Sequence, residues 1–183
     1  MSEPHRFVLT GGPGSGKSTL VAALAEAGMR TFEEAGRAIL RLQDAIGGPA
    51  HAGRDPAAYA EAMLQWDMRS FAEAARNDGP TVFDRGVPDT IGYLRLIGRP
   101  VPPHMERAAR LFRYAEPVFV APPWRDIYVQ DAERTHGWDL AVATHNEVRA
   151  VYVELGYAIA ELPLADVGTR VRFILDHCNV TDF

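Results

Sequence analysis

The chain has 183 residues, 47% of them hydrophobic and 23% charged, the balance of an ordinary soluble globular protein rather than a disordered one. At this length folding hides roughly 70% of the surface exposed by the unfolded chain, so a single domain with a real core is expected. A net charge of −5 argues against a broad nucleic-acid or anionic-membrane surface, and the single cysteine, Cys178, excludes an internal disulfide and a cysteine-based zinc site.

Arg6–Thr10 is a β-prone run and predicts the first strand. Residues Gly11 to Thr19 then read Gly-Gly-Pro-Gly-Ser-Gly-Lys-Ser-Thr, which fulfils the G-x-x-x-x-G-K-[ST] pattern through Gly11, Gly16, Lys17 and Ser18. An Ala/Leu-rich helix is predicted over Lys17–Ala27, with Leu20, Leu24 and Ala27 on one face and Gly28 as its stop. A brief strand at Met29–Phe32 follows, with Glu33 and Glu34 at its carboxyl end, and then a helix from about Ala35 to Ile46. The run Gly47–Gly53 reads as a connection, and Asp55 caps a helix with Pro56 at its first position that reaches about Arg76. Tyr59, Met63, Trp66 and Phe71 mark its buried face.

Thr81–Phe83 is a short strand that delivers Asp84 and Arg85, before a helix from about Pro88 to Leu96. Another helix is expected near His104–Arg113 and a fourth strand at Glu116–Val120, followed by a turn at Ala121–Trp124 and a polar segment at Arg125–Thr135. A long helix at Asp139–Leu155, a fifth strand at Tyr157–Leu162 and a helix at Val167–Cys178 complete the chain. Strand and helix alternate throughout, which predicts a three-layer α/β/α domain spanning 1–183 with a five-stranded, mostly parallel sheet.

The glycine loop dictates the chemistry. Gly12, Gly14 and Gly16 can take backbone angles closed to other residues, so the amides of Gly12, Pro13-flanking Gly14, Ser15 and Gly16 can turn inward onto phosphate oxygens. The helix start behind the loop adds unpaired N–H groups and a positive dipole end. Lys17 is expected to reach the β- and γ-phosphates, Ser18 to ligate Mg²⁺ and Thr19 to donate to the α-phosphate, which makes the ligand a nucleoside triphosphate with Mg²⁺. Asp84 has the form of the strand-terminal acid that anchors the metal or its waters. It could equally take a proton from an acceptor hydroxyl, or cap its own turn.

Taken with Glu33-Glu-Ala-Gly-Arg37, Phe83-Asp-Arg-Gly-Val-Pro-Asp-Thr90, the Pro122-Pro-Trp124 turn and Leu155-Gly-Tyr157, the chain resembles small bacterial P-loop proteins described as AAA-type ATPases or kinases. Ribosylnicotinamide kinase domains and thymidylate and deoxynucleoside kinases are their relatives, and the resemblance implies the P-loop NTPase fold with the kinase-like strand order 2-3-1-4-5. The resemblance implies that Arg85 holds the acceptor or the transferring phosphoryl group, and that Glu33 or Glu34 is a base near the acceptor. It also implies a lid over 124–138 whose Arg125 and Arg134 stabilise the charge of transfer.

The expected function is Mg²⁺-dependent transfer of the γ-phosphoryl group of ATP to a nucleoside- or nucleotide-like small molecule. A regulatory ATPase that acts as a nucleotide-dependent binding module is the alternative. There is no Asn-Lys-x-Asp guanine-reading motif, no Leu-Ser-Gly-Gly signature and too little chain for the extra helical domain of a ring-forming motor. The six histidines show no metal-ligand spacing, residues 1–6 carry no apolar signal segment, and no run approaches the ~20 apolar residues of a membrane span. A cytoplasmic protein with no membrane or nucleic-acid partner is the expectation.

Overall fold

Successive residues of a strand face opposite sides, and in β1 (Arg6–Gly11) that alternation sends Phe7 and Leu9 to one face of the sheet and Val8 to the other. β3 (Thr81–Asp84) repeats it, with Val82 on the first face and Phe83 on the second. Two cores result, one on each side. The smaller packs α1 (Lys17–Glu26) and α7 (Val167–His177) through Leu20, Leu24 and Ile174 against Phe119 of β4 (Val118–Ala121). The larger gathers Ile39 of α2 (Ala35–Ile46), Leu64 of α3 (Pro56–Ala74), Ile91 and Leu94 of α4 (Val87–Leu96), Met105 of α5 (Pro103–Leu111) and Tyr152 of α6 (Trp138–Glu154).

β2 (Arg30–Phe32) and β5 (Ile159–Glu161) close the two edges, and the order β2-β3-β1-β4-β5 is the expected one. All four strand pairings are parallel. The computed structural model describes residues 5–76, 79–128 and 137–178. No helix among them is long and apolar enough to cross a membrane.

Local chemistry sets the element ends. Asp55 caps α3 by accepting from the amides of Ala57 and Ala58 at 3.1 and 3.0 Å, with Pro56 at the first helical position, as expected. β4 begins at Val118 rather than Glu116, because Pro117 has no N–H to give a ladder. Glu116 instead accepts from the Ala158 amide with its side chain at 3.1 Å. β5 is shorter than its hydrophobic run: the Tyr157 amide closes the end of α6 on the Tyr152 carbonyl at 3.1 Å, and its hydroxyl accepts from the Tyr114 amide. Tyr59 and Met63 lie on the buried face of α3, and Trp66 and Phe71 pack half-buried against the same core.

Candidate active site

The carboxyl ends of the parallel strands β1, β2, β3 and β4 lie at one end of the sheet, and the strand order reverses around β1, the place where open α/β sheets bind ligands. β1 runs directly into the glycine loop. Gly14 and Gly16 take φ of +75° and +81°, which an L side chain rarely adopts. Gly12 is needed for space: a Cβ there would stand 2.1 Å from the Ala141 carbonyl oxygen, so α6 lies pressed on the loop.

Lys17 is 6% exposed, and its ammonium folds onto the Gly11 and Gly12 carbonyls at 3.0 and 2.7 Å and the Ser15 hydroxyl at 3.3 Å. Burial and the nearby Arg85 guanidinium push its pKa down to about 7, against the pull of Asp84, Glu34 and Asp89. Ser18 and Thr19 are exposed in the first turn of α1. A residue that the motif does not mark also serves the loop. Arg170 of α7, 3% exposed, donates from Nη1 to the Ser15 carbonyl at 3.0 Å, and its Nε and Nη2 have no hydrogen-bond partner among the described residues.

Asp84 closes β3 and is 6% exposed, with Oδ1 buried and without a hydrogen bond among the described residues. Burial pushes its pKa up to about 6, although Lys17 and Arg85 favour the carboxylate. Arg85 is the one non-glycine residue with positive φ among the described residues, at +71°, a conformation that costs roughly 1–2 kcal/mol. Carboxylates offset that strain. Its Nε donates to Glu34 Oε1 at 3.1 Å and its Nη1 to Asp89 Oδ1 at 3.3 Å, while its amide donates to the Leu9 carbonyl at 3.0 Å.

The structure separates the two glutamates after β2. Glu34, the residue that precedes α2, turns inward to Arg85, with Arg37 Nε 3.3 Å from its other oxygen. Burial alone would raise its pKa, but Arg85, Lys17 and Arg37 hold it below the usual carboxylate value. Glu33 instead pairs with Arg41 at the surface, 3.0 Å away. Asp89 is the organiser that motif reading missed. It accepts from the Thr10 hydroxyl, from the Gly86 amide at 2.9 Å and from the Tyr152 hydroxyl at 2.7 Å, besides Arg85.

Lys17, Glu34, Asp84 and Arg85 are thus brought together. Arg125 is not in that cluster: it is exposed in a single 3₁₀ turn, Arg125–Ile127, with its guanidinium 4.5 Å from the centre of the Trp138 ring. Tyr128, next in the expected lid, covers the loop so closely that a Cβ on Gly14 would stand 2.4 Å from its ring. Arg134 and its neighbours from 129 to 136 lie outside the described residues. For Mg²⁺, the unpaired Oδ1 of Asp84 and the exposed Ser18 hydroxyl are fitting oxygen donors. No group of three or more His, Cys, Asp or Glu side chains among the described residues is placed to hold a metal ion.

A family model for the AAA domain matches residues 6–170. No curated protein matches the sequence. Among solved structures, the NadR protein in complex with NR has a TM-score of 0.68 at 20% identity, with 98% of this chain and 53% of that chain covered. This chain therefore spans about half the length of NadR. Deoxyadenosine kinase from M. mycoides with bound dATP has a TM-score of 0.64 at 13% identity, with 95% and 99% covered. Thymidylate kinase from Ehrlichia chaffeensis gives 0.62 at 13% identity, again with 95% and 99% covered. At such identities the likeness is one of fold, the α/β fold of P-loop kinases.

Proposed function

This chain belongs to the AAA domain family, and within it we propose a Mg²⁺-dependent kinase that moves the γ-phosphoryl group of ATP to the hydroxyl of a nucleoside-like or nucleotide-like small molecule. The observation that carries this reading is the inward carboxylate of Glu34, kept ionised and oriented by Arg85 beside the Lys17 ammonium. A group that accepts a proton and a group that binds the transferring phosphate would then act on the same reaction.

On binding, phosphate oxygens would take over Lys17 Nζ from the Gly11 and Gly12 carbonyls, and the loop amides and the start of α1 would grip the rest of the chain of phosphates. Bound Mg²⁺, held by Ser18 and through Asp84, would neutralise charge on the β- and γ-phosphates. Glu34 would accept the proton of the attacking hydroxyl while Arg85 steadies the oxygens of the group in flight. Tyr128 and the rest of the segment 124–138, Arg125 and Arg134 included, would exclude water so that the acceptor wins over hydrolysis. Phosphorylation of a small molecule in the reducing cytoplasm is the setting in which this chemistry belongs.

The test is ADP release measured with Mg-ATP alone and with each member of a panel of nucleosides and nucleotides. Release that rises at least about tenfold with one acceptor, and that Glu34→Gln lowers by about two orders of magnitude, supports the reading. Release at one rate whatever acceptor is present replaces it with an ATPase.

A further inference from the structure

α3 carries an acid where a core residue belongs. Tyr59, Met63 and Asp67 follow one another at four-residue intervals on its buried face, and Asp67 is 7% exposed. Among the described residues it has no hydrogen-bond or ion-pair partner, although a buried carboxyl left alone is among the more destabilising features a fold can hold. The Tyr59 hydroxyl on the same face also lacks a hydrogen-bond partner there, and it converges with Glu34 Oε1 and Met63 Sδ on the space beside Gly36, 2.6, 3.6 and 3.6 Å from where a Cβ would stand. This face of α3 therefore looks onto the Glu34–Arg85 pair with two polar groups free.

The charges around it narrow what can enter. Asp67 feels the negative charges of Asp89 and Glu34, which oppose its ionisation together with burial, and the positive charge of Arg85, which favours it. Arg85 is bonded through Nε and Nη1 to two carboxylates and keeps what remains for the phosphoryl group in flight, and Arg37 is paired with Glu34. A phosphate-bearing acceptor would need free cations on this side; it would meet Asp67 instead. A donor N–H or a fixed positive charge would satisfy Asp67.

Resting on the kinase reading above, we propose that Asp67 selects the acceptor, and that the acceptor is a nucleoside-like alcohol without a phosphate that presents a proton donor or a cationic ring to this carboxyl. Transfer then forms the bond from the acceptor hydroxyl oxygen to the γ-phosphorus, breaks the bond to the β–γ bridging oxygen, releases ADP and leaves the hydroxyl proton on Glu34.

The experiment uses the full chain and three probes: nicotinamide riboside as a pyridinium nucleoside, adenosine as an amino donor, and thymidine monophosphate as the phosphate-bearing control. Binding without ATP is followed by calorimetry, and transfer with Mg-ATP is followed separately. The expected result is that one of the two nucleosides binds at least about tenfold more tightly than thymidine monophosphate, and that Asp67→Asn weakens that nucleoside about tenfold or more while ATP affinity stays within about twofold. Because Asp67 has no partner to lose, the melting temperature of Asp67→Asn and Asp67→Leu should hold or rise, whereas a structural carboxyl would lower it. Tighter binding of thymidine monophosphate, binding of neither nucleoside, unchanged affinity in Asp67→Asn, or a melting temperature several degrees lower in both variants overturns the assignment. Nucleoside binding that depends on Asp67 without any transfer would leave this assignment standing and remove the kinase reading alone.

Discussion

Lys17 offers a way to watch the phosphate site assemble. In the free protein its ammonium is buried beside Arg85 and titrates near 7, so at pH 8 only about one molecule in ten carries the charge. A polyphosphate in the loop replaces carbonyl dipoles with full negative charges at hydrogen-bond distance, which returns the lysine to its charged form. Binding at pH 8 should then take up about 0.9 proton per nucleotide. Asp84, which titrates near 6, is almost fully ionised at pH 8 and adds almost nothing to the count.

The assay is titration calorimetry with Mg²⁺ and a non-hydrolysable ATP analogue in buffers of different ionisation enthalpy, where the slope of heat against buffer enthalpy counts protons. Affinity should also fall close to tenfold for each pH unit above about 8, because the free protein must first acquire the proton. Lys17→Arg, charged throughout, should show no uptake in whatever binding it keeps. An uptake below about 0.2 proton at pH 8 would mean that Lys17 is charged before the nucleotide arrives, and the electrostatics drawn for the site would be wrong.

Asp89→Ala leaves the Tyr152 hydroxyl, the Thr10 hydroxyl and one side of Arg85 without their shared acceptor, so it should cost about 3 kcal/mol or more in denaturant unfolding and lower turnover together with stability. Gly12→Ala drives a methyl into the Ala141 carbonyl; ATP affinity should drop at least about tenfold, read by calorimetry, with α6 displaced from the loop. Arg85→Lys keeps the charge but loses the fork that spans Glu34 and Asp89, and it should lower kcat far more than it raises the KM for ATP. In steady-state kinetics, kcat/KM for Mg-ATP should rise with pH as Asp84 loses its proton near 6 and fall above about 7 as Lys17 loses its own.

Much of this was open to reading from the chain because local rules fixed it. The loop from Gly11 to Thr19, the Asp55 cap with Pro56, and the strand-terminal Asp84 each follow from residues close in sequence; alternation with helices makes the sheet parallel, while its order rests on the resemblance to P-loop kinases. What escaped depended on distant partners. Glu33 and Glu34 are adjacent and chemically alike, and the choice between them is made by Arg85, 51 positions away from Glu34. Asp89 and Arg170 look like ordinary helix residues until Thr10, Tyr152 and Ser15 arrive beside them. Asp67 did leave a signal, an acid four positions beyond Met63 on a core-facing stripe, but periodicity alone gives no reason for it.

The most direct trial of the account follows the terminal phosphate itself. Full-length protein is incubated with Mg²⁺, γ-labelled ATP and the nucleoside panel, and the label is traced by chromatography. The account predicts label on one nucleoside in step with ADP formation, and its loss in Lys17→Ala and Glu34→Gln. Label recovered only as inorganic phosphate, at a rate that no acceptor changes, would contradict it.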